Sequence, residues 1–103
     1  MNLEEKVREL VLVLSGFLNG SVQVDKLQTF VWEVIEYFTS TPKDALPPLA
    51  DFENVFWYAI WQIQHLATDD HVADGTACRE LAEVLEYLQG QKELPKDYFG
   101  RRP

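Results

Sequence analysis

The sequence predicts an all-α fold: a single-domain antiparallel four-helix bundle over residues 1–90, followed by an extended basic tail at 91–103. Three observations carry that prediction. Apolar residues recur every three to four positions through four separate stretches, and short links rich in Gly, Pro, Asp, Asn, Ser and Thr divide those stretches. No stretch alternates apolar and polar residues for long enough to support a strand.

The first helix spans residues 3–18, with Leu3, Val7, Leu10, Val11, Leu14, Phe17 and Leu18 at helical spacing and Asn19-Gly20 as the terminating pair. The second spans about 24–38, with an apolar stripe of Leu27, Phe30, Val31, Val34, Ile35 and Phe38, and Thr39-Ser40-Thr41-Pro42 stops it. Pro47-Pro48 opens the third, because proline fits a first turn where no intrahelical N–H bond is needed. This helix runs to residue 66 or 67 and carries Leu49, Phe52, Val55, Phe56, Ala59, Ile60, Ile63 and Leu66 on one side. After the loop at 68–75, with Asp74 or Thr76 as N-cap candidates, the fourth helix spans about 76–89. It points Ala77, Leu81, Val84, Leu85 and Leu88 inward and ends at Gly90. Residues 91–103 hold two prolines and no periodicity.

The chain has 103 residues, 47% of them hydrophobic, with three Trp, four Tyr and six Phe, which is enough for a core without disulfide staples. The single Cys78 forms no internal disulfide, and its position at the edge of the fourth stripe predicts a partly buried thiol. The apolar run at 10–18 is far short of the ~20 residues that cross a bilayer. The opening residues mix acids and bases, unlike a secretory signal, so a cytoplasmic location is expected.

Charge is uneven. Residues 1–90 carry fifteen Asp and Glu against five Lys and Arg, whereas the last thirteen carry two against four, for a net charge of −8. An acidic body repels nucleic acid and membranes and attracts a basic protein. On the second helix Asp25, Glu33 and Glu36 fall opposite the apolar stripe with Trp32 between them, a setting suited to Lys or Arg of a partner. The alternative is a Trp32 ring lying flat over helix one or the tail. On the third helix Trp57 and Trp61, with His65 a turn on and Tyr58 alongside, form a second apolar stripe. A central helix covered on both sides accounts for it; otherwise that face is a binding surface. A second acidic cluster gathers Asp69, Asp70 and Asp74 of the loop with Glu80, Glu83 and Glu86 of the fourth helix, its alternative being an ordinary solvated face.

Catalytic and cofactor motifs are missing. His65 and His71 are the only histidines, there is no HExxH or paired-Cys motif, and Asp69, Asp70 and Asp74 around His71 lack the EF-hand ligand order. Gly16 and Gly20 lie at a helix end with no GKS or GKT after them, so no phosphate loop is expected. Cys78 with His71 makes a poor thiol and base pair, and Glu33 with Glu36 sits on a convex surface where nothing raises a carboxyl pKa. Neither enzymatic activity, a cofactor nor a metal is expected.

The segment Phe17-Leu18-Asn19-Gly20-Ser21-Val22-Gln23-Val24-Asp25-Lys26-Leu27, with the aromatic-rich helix after it, resembles the opening of the bacterial self-protective, colicin-D-like immunity proteins. The likeness continues through the 52–66 helix and the Asp-rich link to Glu80-Leu81, covering roughly residues 10–90. It implies a small helical inhibitor that neutralises a toxin domain, typically a basic nuclease, with carboxylates standing in for phosphates. Gln23, where a small hydroxyl cap is expected, and the basic tail depart from the pattern. Contact residues differ between immunity proteins, so the partner-binding candidates come from the charge pattern: Asp25, Trp32, Glu33, Glu36, Asp69, Asp70, Asp74, Glu80 and Glu83. The expected partner is a basic toxin domain, with the free protein a monomer that binds neither nucleic acid nor membrane. The competing expectation is a helical adaptor, homodimeric through Trp57, Trp61 and Tyr58.

Overall fold

Each predicted apolar stripe supplies the buried side of a helix, with Leu49 and Phe52 of the third falling before its helix. In the computed structural model, which describes residues 2–67, 75–98 and 100–103, the described residues form four α-helices: α1 (Leu3–Leu18), α2 (Val24–Ser40), α3 (Glu53–Leu66) and α4 (Thr76–Leu88). A short 3-10 turn, Lys43–Ala45, lies between α2 and α3. Helices adjacent in sequence pack together, and α1 closes the ring against α4, the order that an up-and-down bundle requires. No described helix is long and apolar enough to cross a membrane.

Local chemistry sets the ends. The Asn2 side chain accepts the N–H groups of Glu4 at 3.0 Å and Glu5 at 3.3 Å, two donors the first turn of α1 leaves over. At the other end Gly20 turns left-handed (φ 87°), with Gly20 N–H donating to Phe17 C=O and Ser21 N–H to Gly16 C=O, a Schellman closure. Gly90 (φ 73°) closes α4 the same way, through Gly90 to Tyr87 and Gln91 to Glu86. Helix α2 runs two residues past the predicted end. Ser40 and Thr41 hydroxyls donate to the Glu36 and Tyr37 carbonyls, both at 2.6 Å, and so satisfy the last turn.

Three expectations need correction. Helix α3 starts at Glu53 and not at Pro47-Pro48: the prolines restrict only Leu46 and Pro47, whereas Glu53 accepts the Ala50 N–H and sets the start. The chain stays non-helical across 46–50, and Leu49 is 74% exposed instead of joining the core. Helix α4 is preceded by Gly75, left-handed at φ 80°, with Thr76 already its first helical residue; the other candidate cap, Asp74, lies outside the described residues. Cys78 is exposed, rotated out of the stripe formed by Ala77, Leu81 and Val84.

The core holds Leu10 and Leu14 from α1, Leu27, Val31 and Val34 from α2, Phe56, Ile60 and Ile63 from α3, and Leu81 and Val84 from α4. Trp57 is fully buried, as the central-helix expectation requires. Its ring meets Phe38 edge-on at 4.9 Å and Phe56 at 5.0 Å, separations typical of favourable aromatic pairs.

The tail lies over the second stripe of α3 at Tyr58 and Trp61, while His65 stays exposed. Gly100 donates its N–H to Asn54 Oδ1 at 3.0 Å, Trp61 Nε1 donates to Arg101 C=O at 2.8 Å, and Tyr98 stacks on Tyr58 at 5.4 Å. Gly100 lies so close to α3 that a Cβ there would stand 2.0 Å from Tyr58 N and 2.4 Å from Trp57 C. The last anchor is Arg102, which reaches the buried Glu53 at 2.6 Å and the Pro47 carbonyl at 2.8 Å, with its guanidinium over Phe38. A radius of gyration of 13.3 Å, that of a compact domain of about 100 residues, fits a tail folded back on the bundle.

Glu53, 1% exposed, is the sole charged group buried among the described residues. Besides Arg102 it accepts the Ala50 N–H at 2.7 Å and Trp57 Nε1–H at 3.1 Å. Burial pushes its carboxyl up, but the Arg102, Ala50 and Trp57 donors outweigh that and hold it below the ordinary 4.5. A depressed carboxyl contributes stability that is complete above its unfolded pKa and is lost as pH falls through the folded one.

Arg102→Ala should therefore cost about 1–3 kcal/mol near neutral pH, a difference that narrows as the pH is lowered below 4.5, read from thermal melts across pH. Gly100→Ala should lift the tail from α3, lower the melting temperature and shift tryptophan emission to the red as Trp61 gains water.

Candidate functional site: the α2 surface and the α3–α4 cleft

Two surface features bring sequence-predicted residues together. On α2, Asp25, Thr29, Trp32, Glu33, Glu36 and Thr39 follow helical spacing along the side facing away from the core. Trp32 is 61% exposed, so neither α1 nor the tail lies over it. Asp25, Glu33 and Glu36 are all exposed. The Thr29 and Thr39 hydroxyls turn back onto the helix, donating to the Asp25 C=O at 2.8 Å and the Glu36 C=O at 3.2 Å. The carboxylates themselves point to solvent with no ion pair among the described residues.

Trp32 is a ridge between two grooves. One, on the α2 side, is bounded by Thr29, Glu33, Glu36 and Thr39 and is acidic. The other, ≈ 200 Å³, lies between α2 and α3 over Val31, Ile63 and Ala67 and is mainly apolar. Gln28 crosses that second groove to donate its side-chain N–H to the Ala67 carbonyl at the end of α3. An aromatic ring with an apolar floor on one side and carboxylates on the other accepts a long basic side chain, stem against ring and head against acid.

The second feature is a cleft of ≈ 380 Å³ where α3, α4 and the tail meet. Tyr58, Tyr87 and Tyr98 wall it, and Glu80 and Glu83 line its α4 side. Tyr87 hydroxyl donates to Glu83 Oε1 at 2.5 Å, and Lys92 Nζ lies 3.5 Å from the same oxygen. The hydrogen bond to Glu83, with desolvation, pushes the Tyr87 phenol up to about 12. The same bond and the Lys92 charge hold Glu83 below the ordinary carboxylate range. Burial, then the charges of Tyr98, Glu83 and Glu80, push Tyr58 up as well.

Glu80 and Glu83 are thus placed on one exposed side of α4, while Asp69, Asp70 and Asp74, expected beside them, lie outside the described residues together with His71. The tail sends Arg102 to Glu53 and Lys92 to Glu83, and the acids of α2 are left unmasked. The adaptor surface is not open: Trp57 is buried, and Trp61 and Tyr58 are half-buried beneath Arg101, Gly100 and Tyr98. Sequence reasoning missed Glu53 and the tyrosine cleft. Glu53 reads as one more acid within a helix opened by Pro47-Pro48, and the cleft is assembled from Tyr58, Tyr87 and Tyr98, residues that lie far apart along the chain.

Comparison of the chain with protein-family models, with curated proteins and with solved structures finds no match.

Trp32→Ala should leave the melting temperature nearly unchanged, a stability effect of about 0.5 kcal/mol or less. It should also remove most of the tryptophan emission that acrylamide quenches, because Trp57 is buried. Spectrophotometric titration should find a tyrosine still protonated at pH values where ordinary phenols ionise, and Glu83→Gln should bring its pKa down from about 12.

Proposed function

We propose that the protein is a toxin-neutralising immunity protein: it binds a basic, nuclease-type bacterial toxin domain and blocks that domain's nucleic-acid site, with no chemistry of its own. The observation that carries the reading is Trp32, 61% exposed among exposed Asp25, Glu33 and Glu36 on α2. A large ring mostly in water, beside carboxylates with no ion pair among the described residues, contributes little to the bundle's packing and has the makings of an interface anchor. The likeness of the 17–27 segment to colicin-D-like immunity proteins supports the same reading, as does the net charge of −8.

The mechanism follows from electrostatics. The acidic body draws a basic domain in from a distance and speeds encounter, a gain that added salt screens. At contact Trp32 and the apolar groove exclude water, and the α2 carboxylates occupy the positions that backbone phosphates take on the toxin. The cluster of Glu80 and Glu83 adds to the long-range field, while Lys92 partly neutralises it at close range. A cytoplasmic location, where a toxin-producing cell needs protection, belongs to the same proposal.

The test begins with the basic domain retained by the immobilised protein in extracts of the native cell, then purified. A stoichiometric amount of the protein should abolish that domain's activity. Charge reversal at Glu33 and Glu36 should slow association and flatten its salt dependence, and Trp32→Ala should speed dissociation at a cost of ~2 kcal/mol or more. If the captured domain keeps its activity at saturation, or if neither set of substitutions changes binding, the reading is wrong.

A further inference from the structure

The tyrosine cleft has the composition of a cation receptor. Tyr58 and Tyr98 stack nearly parallel, 10° apart at 5.4 Å, and Tyr87 stands edge-on to Tyr58 at 6.1 Å and 74°, so three rings form a corner. Glu80 and Glu83 supply negative charge along the α4 side, and Val84 and Gln62 complete the lining. Aromatic faces joined to carboxylates attract organic cations through ring quadrupole and Coulomb terms together.

The chain's own Lys92 already approaches this corner. Its ammonium lies 5.9 Å from the Tyr87 ring centroid and 3.5 Å from Glu83. With half of its side chain still exposed, it stands outside the lining of the ≈ 380 Å³ cleft and leaves the interior open. A half-solvated cation on Glu83 is readily displaced by one that enters the corner and is better desolvated.

We propose that the cleft is a binding site for an alkylammonium group, presented as a lysine side chain of a protein partner. Lys92 is the internal stand-in that fixes the choice of chemistry, since it shows a lysine ammonium meeting both the ring and the acid. The phenol of Tyr87 is committed to Glu83 as a donor, so Glu83 keeps its charge; the Tyr87 ring is buried, and Tyr98, 45% exposed, supplies the open aromatic wall. The identity of the carrier as a basic protein rests on the function proposed above; the ammonium site itself does not.

The site can be probed on the intact protein by following aromatic NMR signals during titration with Nα-acetyl-lysine methylamide, its norleucine analogue, which lacks the amine, and choline. The lysine probe should give saturable shifts confined to the Tyr58, Tyr87 and Tyr98 rings, and the norleucine analogue should give none. Lys92→Ala should bind the lysine probe about threefold more tightly, and Tyr98→Ala or Glu83→Gln about threefold more weakly, the scale of an exposed cation–π contact. Tyr98 and Lys92 lie outside the core, so these variants keep the bundle and its circular dichroism. Equal shifts from the lysine and norleucine probes, no saturation with either wild type or Lys92→Ala, or no effect of Tyr98→Ala overturn the site. Tighter binding of choline than of the lysine probe overturns the lysine carrier in favour of a free quaternary ammonium. Failure here leaves the α2 reading standing, and failure of the toxin assay leaves the ammonium site without its proposed carrier.

Discussion

A single buried carboxylate organises the C-terminal half of this protein. Glu53 sits at the first position of α3 with 1% of its surface exposed, and a charge in that position is tolerated only if it is fully paired. Its oxygens are divided among the Ala50 N–H, which sets the start of the helix, the Trp57 indole, which fixes the ring at the centre of the aromatic cluster, and Arg102. Helix start, core aromatic and chain terminus are thereby tied to one group. Arg102 in turn spans the Pro47 and Pro48 carbonyls and the Phe38 ring, so the segment before α3 and the end of α2 are held by the same guanidinium. A planar fork with several donors can make all of these contacts at once, whereas a lysine ammonium cannot.

The tail changes what the bundle's surface can do. It lies over part of the aromatic side of α3, leaving Trp61 and Tyr58 half-buried. It also delivers Tyr98 to build one wall of a new cleft against α4. Two of the tail's four basic residues, Lys92 and Arg102, pair locally at Glu83 and Glu53, and the acids of α2 stay exposed. The α2 surface and the α3–α4 cleft differ in kind: a convex ridge carrying Trp32, and a concave corner of tyrosines and glutamates. Both are suited to cations. The ridge suits a folded basic surface, and the corner suits one inserted side chain.

How far residues could be read ahead of the fold depended on the range of the interaction involved. The Schellman closure at Gly20, the stop after α2 and, Leu49 apart, the inward residues of the four helices were legible because spacing and capping act within a few positions. The exposed ridge of Asp25, Trp32, Glu33 and Glu36 was legible for the same reason: it is one side of one helix. The start of α3 was not, because Pro47-Pro48 satisfies the rule for a first turn equally well and only the pairing of Glu53 with Ala50 and Arg102 moves the start to residue 53. Cys78 was misplaced for a related reason. A residue at the edge of a stripe goes in or out according to the rotation of the whole helix, which packing against α1 and α3 decides.

By itself, then, the sequence determined the helical class, the order and sidedness of the helices, and the acidic character of the outer surface, all consequences of short-range periodicity and of composition. Tertiary structure alone decided which of two plausible aromatic surfaces stays open. Trp32 and Trp61 look alike along the chain, each an indole off the main stripe, yet one stands in water and the other is bonded to Arg101. The difference comes from a residue about fifty positions from its partner: Arg102 finds in Glu53 a buried charge that needs it, and pairing between distant residues leaves no periodic trace in the sequence.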